Sequence, residues 1–426
     1  MLFRSNGLFF KDGEFNMYFQ HNPLCNRHFT TNISWGHAKT SDGLYFKELP
    51  DAIMPRNSRV HIASGSAIVD ETNISGFGKD TILAAYTDLI SRQFHNRPAV
   101  TSGFGQNVMY SLDGGITFNY FPGNPVISVP STERWRDPKI LRIDENTICI
   151  AVYETYQGID CISFYKSTDC KKWEFCSRIL NYFECPDLFP LKVKNSDEKL
   201  WVLYGARGKY QIGHFENFEF KPLTDGEFID YGDAVYAGQT FNNYESEDTR
   251  IYVAWLRERF CGGEDDENEP TLKFGFSQSM ALFTEFSLYK INGTYRLRRK
   301  LFSKIEKLRT TQSDIKLNEI DVLPTPTETV FTLKCDKDAC ISFGEQKVIF
   351  NSAQNKIYTE SPKGDKEYGF FEKSDMQVRI IADTRSVEIF IKDEMVISFF
   401  TVDKKFNLEC EYEIDAKQYS LKSIWE

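Results

Sequence analysis

No stretch of 18 consecutive apolar residues occurs in the 426-residue chain, so no membrane-spanning helix is expected. The opening MLFRSNGLFF also lacks the long apolar region and small-residue cleavage site of a secretory leader. As given, the chain therefore reads as cytoplasmic, or as secreted if the true start lies upstream. Positive charge is in deficit: 51 Lys and Arg against 61 Asp and Glu leave a net charge of −10. That argues against nucleic acid, whose phosphates demand clustered cations, while a neutral small molecule suits such a surface. Oligomeric state is not legible, which leaves room for a homo-oligomer.

The ten cysteines include no CxxC pair and no partnered CxxH, which removes a zinc site and a small disulfide scaffold. Cys335 and Cys340 form the one close pair in the C-terminal third, and buried thiols are expected for most of the ten. The GFGQNV stretch at Gly103 lacks the third glycine and the following helix of a dinucleotide loop. The acidic run GGEDDENEP around Asp265 reads as a solvated loop, and the sequons at Asn32, Asn73 and Asn292 are short enough to arise by chance. No cofactor and no metal is called for.

What the chain has is apolar and aromatic material, 41% and 15%, in a length sufficient for one large and one small core. Up to about residue 290 it runs as short segments such as TILAAYTDL, NTICIAVYET, LWVLYGA and RIYVAWL between Gly, Asp, Asn and Pro clusters, with no amphipathic helix of useful length. A tight turn followed by an aromatic ring recurs as SDGLYF from Ser41, SLDGGITF from Ser111 and STDCKKW from Ser167. That repeat fits the four-stranded blades of a propeller better than a sandwich. The basic stretch INGTYRLRRKLFSKIEKLR reads as a linker over 291–310, with a helical turn or two at its end. From 311 to 426 strands resume, several alternating strictly between apolar and polar positions, as in VFTLKCD and SVEIFIKD. Alternation buries one face only, so a sandwich of two antiparallel sheets is expected there. The fold class is all-β: a propeller over 1–290, then a β-sandwich.

Three stretches could carry chemistry. In NGLFFKDGEFNMYFQHNP a hairpin delivers Gln20, His21 and Asn22 into a Pro-terminated turn, and Trp35 in the following SWGHAKTSDG could offer a ring to a sugar face. In ERWRDPKI, Asp137 precedes a proline, which favours an extended turn conformation, and Arg136 beside it can orient or neutralise a carboxylate. In NYFECPDLFPLK, Glu184 lies between Phe183 and Cys185, an environment that would desolvate it and raise its pKa toward that of a general acid. Taken singly, an ordinary hairpin, a surface ion pair and a solvated loop Glu are the commoner accounts of these three.

Their order changes the weighing. NGLFF, YFQHNP, WGHA, SGSAIVD at Ser64, RDPK, ECPDLF, GDAVYAGQTF at Gly232, RLRRKLFSKIEKLR and SVEIFIKDE together resemble, over nearly the whole chain, the motif series of invertases, levanases and inulinases, glycoside hydrolase family 32. The resemblance implies a five-bladed propeller with a funnel-shaped site on its axis. It also implies cleavage of terminal β-D-fructofuranosyl bonds in sucrose or short fructans, with retention through a fructosyl-enzyme. On that mapping Glu184 is the general acid/base, and Asp137 holds fructose hydroxyls as transition-state stabiliser with Arg136 alongside. Asn6, Gln20, Asn22, Trp35, Ser64 and Trp255 belong to substrate binding.

One departure matters. The family's nucleophilic Asp stands in a segment reading WMNDPNG, and here MLFRSNG puts Arg4 at that position. A guanidinium stays protonated and has no lone pair to offer, so it cannot replace the nucleophile. Asp12 is no substitute, because it belongs to a DG hairpin turn. Two explanations stand: the true start lies upstream and the first residues are spurious, or the protein binds fructosides without cleaving them. A third reading is an inverting, arabinanase-type propeller glycosidase, with carboxyls set farther apart. The small residues Ala234 and Gly238 in GDAVYAGQTF also depart from the family's aromatic and Pro pattern, which suggests relaxed constraint.

Overall fold

The computed structural model describes residues 2–22, 33–55, 60–94, 97–100, 105–128, 134–257, 278–370, 372–401 and 405–424. The Asp265 stretch lies outside them, as do Gly103 with Phe104 and Asn32. The N-terminal part forms five antiparallel sheets in chain order, each built on an up-and-down path of four strands. They cover residues 2–53, 60–128, 135–180, 187–228 and 235–301.

The blades bury both faces, which explains why their strands read as near-continuous apolar runs. In Thr147–Tyr156, Ile148, Ile150 and Val152 pack against Ile68, Leu83 and Ala85 of the second blade. Cys149 and Ala151, on the other face, pack against Leu188 and Leu203 of the fourth. Equivalent clusters join the first blade to the second, through Phe9, Trp35, Ile62 and Ile82, and the fourth to the fifth, through Phe189, Val202, Tyr252 and Phe286. A further cluster joins the fifth blade back to the first, through Phe15, Met17, Phe241 and Phe283. Five interfaces for five blades close the ring. Backbone bonds secure the closure, from Phe10 N to Asn242 O at 2.9 Å and from Asn242 N to Leu8 O at 3.0 Å. Each Leu, Ile or Phe sealed in this way contributes roughly 1.5–3 kcal/mol relative to exposure.

The three recurring turns occupy one corner, between the third and fourth strands of blades one, two and three. In each, a hydroxyl and an Asp cap the turn: the Ser111 hydroxyl accepts Gly115 N at 2.8 Å, and the Ser167 hydroxyl accepts Cys170 N at 2.8 Å. Asp113, Asp169 and, in the first blade, Asp42 accept the amides that follow. The repeat is thus a means of turning the chain back into its blade.

Residues 294–301, read above as the start of a linker, form the strand Thr294–Leu301, paired along Thr284–Ile291 as the outer edge of the fifth blade. Its basic look conceals alternation: Leu297 and Arg299 point inward and are buried. A single 3-10 turn, Ile305–Leu308, follows.

The C-terminal part stacks a six-stranded sheet on a five-stranded one around a core that includes Phe331, Val378, Ile389 and Phe399. Strict alternation fails to leave one face wet in Ser386–Ile391, where all six residues are buried. Its second face lies against the propeller: Phe390, Ile381 and Val396 pack with Leu44, Ile305 and Leu308. Among the described residues no helix is long and apolar enough to cross a membrane.

Candidate active site

Each inner strand runs along the ring axis, and near its axial start the chain is distorted. Pairing slips between Phe3 and Ser5, Ile62 and Gly65, Arg136 and Lys139, and Tyr236 and Gln239. At these points non-glycine residues take left-handed backbone: Arg4 at φ 56°, Asp137 at 64° and Ala237 at 51°. Glu184 at 49° and Cys185 at 42° do the same just ahead of the fourth blade's inner strand. A bulge re-aims a side chain that regular pleating would send into a blade interface, and each such backbone costs of order 1–3 kcal/mol. Asp137 therefore does not take the extended conformation expected of a residue before proline. The bulge outweighs that local preference, and the Thr87 hydroxyl accepts the Asp137 amide at 3.1 Å.

The distortions converge. Arg4 Nη2 lies 3.0 Å from Asp137 Oδ2 and also reaches the Cys185 thiol. Arg136 donates to Glu184 Oε1, with its Nε 3.7 Å from Asp137 Oδ2 and its guanidinium 4.8 Å from the Tyr153 ring centre. The Cys185 amide donates to Asp137 Oδ2 at 3.3 Å, and the Tyr236 hydroxyl donates to Glu184 Oε2. Asp137 and Glu184 thus share one mouth, bridged by Arg136, with Arg4 paired to Asp137.

Electrostatics reverse one expectation. Burial does push the Glu184 carboxyl up, as its neighbours Phe183 and Cys185 suggest, but Arg4, Arg136 and the Tyr236 hydroxyl outweigh it and the net shift is downward. Glu184 is therefore held as a carboxylate, the opposite of the raised pKa expected of a general acid. Burial opposes the charge on Arg4, yet Asp137 and the neighbouring groups prevail and its pKa moves up. Burial also drives the Cys185 thiol well above the ordinary range, so it stays protonated despite the nearby guanidinium.

The other expected residues divide into two groups. Gln20 donates to the Ser64 hydroxyl at 3.1 Å, joining the first blade to the second beside the bulge, and Asn22 is buried at the end of the same strand, Glu14–His21. Asn6 accepts the Gly65 amide at 3.1 Å and donates to the Arg4 carbonyl at 3.2 Å, which fixes the backbone carrying Arg4. Trp35 was expected to offer a ring to a sugar. It is fully buried, with its indole N–H on the Ala63 carbonyl at 2.9 Å and its ring beside Tyr18, so it braces the wall and presents no face. Trp255 is likewise buried, donates to Gln278 Oε1 at 3.0 Å and stands edge-on to Tyr236 at 6.1 Å. Asp12 sits in its hairpin turn, paired with Lys11.

Sequence reasoning missed Tyr236 and the thiol of Cys185 as members of the set. Tyr236 lies in GDAVYAGQTF, where the tyrosine could have been noticed but its bond to Glu184 could not. Gly238 in that segment is dictated by packing, since a Cβ there would collide with the Tyr252 ring. Among the described residues no group of three or more His, Cys, Asp or Glu is placed to hold a metal ion.

Comparison with known proteins shows the family and the fold. Residues 4–299 match the family model described as Glycosyl hydrolases family 32 N-terminal domain. An invertase of Wickerhamomyces anomalus is 35% identical over 386 residues, spanning 82% of this chain and 64% of that protein. The chain thus spans less than two thirds of that relative's length. A levanbiose-producing levanase of Bacillus subtilis (strain 168) is 28% identical over 382 residues, spanning 84% of this chain and 69% of the relative. In fold, the exo-inulinase of Aspergillus awamori superimposes with a TM-score of 0.81 at 20% identity, over 100% of this chain and 96% of that one.

Proposed function

We propose, for a chain that belongs to glycosyl hydrolases family 32, that its funnel recognises the terminal β-D-fructofuranosyl group of sucrose or a short fructan and cleaves it only feebly. Support for the ligand comes from the paired carboxylates of Asp137 and Glu184 at the mouth, which can accept hydrogen bonds from sugar hydroxyls, and from relatives named invertase and levanase. Asp137 would hold ring hydroxyls, with Arg136 alongside it. Glu184 would take the position from which a leaving oxygen is protonated.

The observation that carries the impaired reading is the Arg4 guanidinium lying on Asp137. A retaining cleavage needs a carboxylate to attack the anomeric carbon and a protonated carboxyl to give up its proton. Arg4 supplies no electron pair, and together with Arg136 it keeps Glu184 ionised. Losing such a nucleophile typically lowers the rate by on the order of 10⁴ to 10⁶.

The test is calorimetry with sucrose, raffinose and short inulin on the purified chain, alongside fructose release measured against a Glu184→Gln control. Saturable binding is expected, with release within a few-fold of the control. Absence of any binding would sink the fructoside reading. Release thousands of times above the control would sink the impairment.

A further inference from the structure

We infer that the β-sandwich is part of the site's machinery: it grips residues 230–234 and thereby positions Tyr236, the residue that donates to Glu184. This rests on the reading of Glu184 as a site residue. It adds a positioning role for Asp230, Gly232 and Ser398.

The segment between Glu227–Phe228 and Val235–Thr240 leaves the fourth blade, touches the sandwich strand Met395–Phe400, and enters the fifth blade. Its backbone is held at both ends, from Tyr231 N to Val396 O at 3.0 Å and from Ala234 N to Ser398 O at 3.1 Å. Asp230 holds the middle. Its Oδ1 accepts the amides of Gly232 and Ser398, each at 2.9 Å, and its Oδ2 accepts the Ser398 hydroxyl at 2.7 Å and Arg299 at 2.7 Å. Lys366, from the opposite sheet of the sandwich, donates to the carbonyls of Asp230 at 2.8 Å and Gly232 at 2.6 Å. Both Asp230 and Ser398 are buried.

Gly232 is required by contact, because a Cβ there would run into the Ser398 carbonyl. From Ala234, the last gripped residue, two steps of about 3.3 Å lead to Tyr236. Ala237 is then fixed in turn by its amide bond to the Ala206 carbonyl at 2.9 Å, and Ala206 N donates back to the carbonyls of Phe183 and Glu184 at 2.9 and 2.8 Å. Tyr236 and Glu184 are thus set against each other by a short rigid path that starts in the sandwich. A connection that merely joined two domains would not need a buried carboxylate saturated by four donors at this point.

The test follows the carboxyl of Glu184 by carbon-13 NMR titration of the full chain, with the signal assigned by its loss in Glu184→Gln. Removing the Tyr236 hydroxyl, Tyr236→Phe, should raise the titration midpoint by about one pH unit. Ser398→Ala should move it upward part of that way, Ser398→Thr should restore it, and Ser398→Ala should add nothing in a Tyr236→Phe background. Gly232→Ala, which pushes the segment outward, is a second lever should Ser398→Ala prove silent. The inference is overturned if neither lever moves the midpoint while Tyr236→Phe does, or if either moves it equally in the Tyr236→Phe background. Sucrose calorimetry on the same samples separates the two readings: midpoints behaving as expected without sucrose binding would end the fructoside reading and leave this one standing.

Discussion

Asp137 and Lys139 stand two residues apart on one strand, and they meet opposite fates. Lys139 forms an ion pair with Asp187 at 2.8 Å and donates to the Thr240 carbonyl at 3.0 Å. Asp187 also accepts the Tyr204 hydroxyl at 2.8 Å and the Thr240 amide at 2.5 Å, and neither side chain is more than 1% exposed. That lower set balances one cation with one anion, and nothing from outside can reach it. Above it, Arg4, Arg136 and Glu184 keep partial access to solvent, at 11%, 20% and 15%, while Asp137 beneath them is buried. Similar ion-pair chemistry therefore serves the fold where it is sealed and, on the proposed reading, a ligand where it is open.

The comparison is broken most forcefully by Arg4→Asp. This replaces a guanidinium with a carboxylate at the mouth, which on the proposed reading supplies the nucleophile, and it withdraws one of the two cations that hold Glu184 ionised. The Glu184 carboxyl then moves up, so that more of it is protonated at neutral pH and able to donate. Fructose release from sucrose should rise on the order of 10⁴-fold over the parent chain, the inverse of the usual loss when a nucleophile is removed. A rise of less than tenfold in folded protein would mean that the opening lacks more than its nucleophile.

How much of this was legible in the sequence follows the same division. Blade cores announce themselves as apolar runs bounded by turns, because both faces of each blade are covered, and the Ser/Asp corners recur because each solves the same turn. The basic stretch from 291 misled, because charge at the exposed positions of Thr294–Leu301 hides the buried Leu297 and Arg299 between them. At the mouth, motif order singled out Asp137 and Glu184, which the structure brings together, and it singled out Arg4 as the departure that lies beside them. The bulges could not be read, since nothing local in FRSN or RDPK predicts a left-handed backbone there. Nor could the sign of the Glu184 shift, because it depends on Arg4, which comes from the far end of the propeller sequence and meets Glu184 only when the ring closes.

A smaller effect is expected at the sealed set. Lys139→Met leaves Asp187 buried with two hydrogen-bond donors and no cation, which should lower the unfolding free energy by about 3–5 kcal/mol in urea titration. Adding Asp187→Leu should recover much of that loss, because the stranded charge goes with it. Arg4→Met should cost less than half as much, since Arg136 remains near Asp137 and solvent reaches the mouth. Equal losses from Lys139→Met and Arg4→Met would erase the distinction between the two sets.

The smallest effect concerns a carboxylate that belongs to neither. Glu388, on the face of Ser386–Ile391 that meets the propeller, is buried and accepts the Leu282 amide at 3.1 and 3.3 Å. It makes no ion pair among the described residues. Burial pushes it up to about 7, against an ordinary 4.5, with the Leu282 amide and Arg299 pulling weakly the other way. Because the folded form holds this proton more tightly than the unfolded chain, the group costs almost nothing near pH 4 and its penalty grows as the pH climbs through 4.5 to about 7. The limit is about 3 kcal/mol. Glu388→Gln keeps an oxygen for Leu282 and abolishes the titration, so the variant should match the parent near pH 4 and exceed it by up to about 3 kcal/mol at pH 8 in urea unfolding. The same difference at both pH values would show that Glu388 is ionised in the folded protein throughout. The seam thus holds an unpaired carboxyl whose proton burial retains, whereas Asp187 in the sealed set has Lys139 as its ion-pair partner.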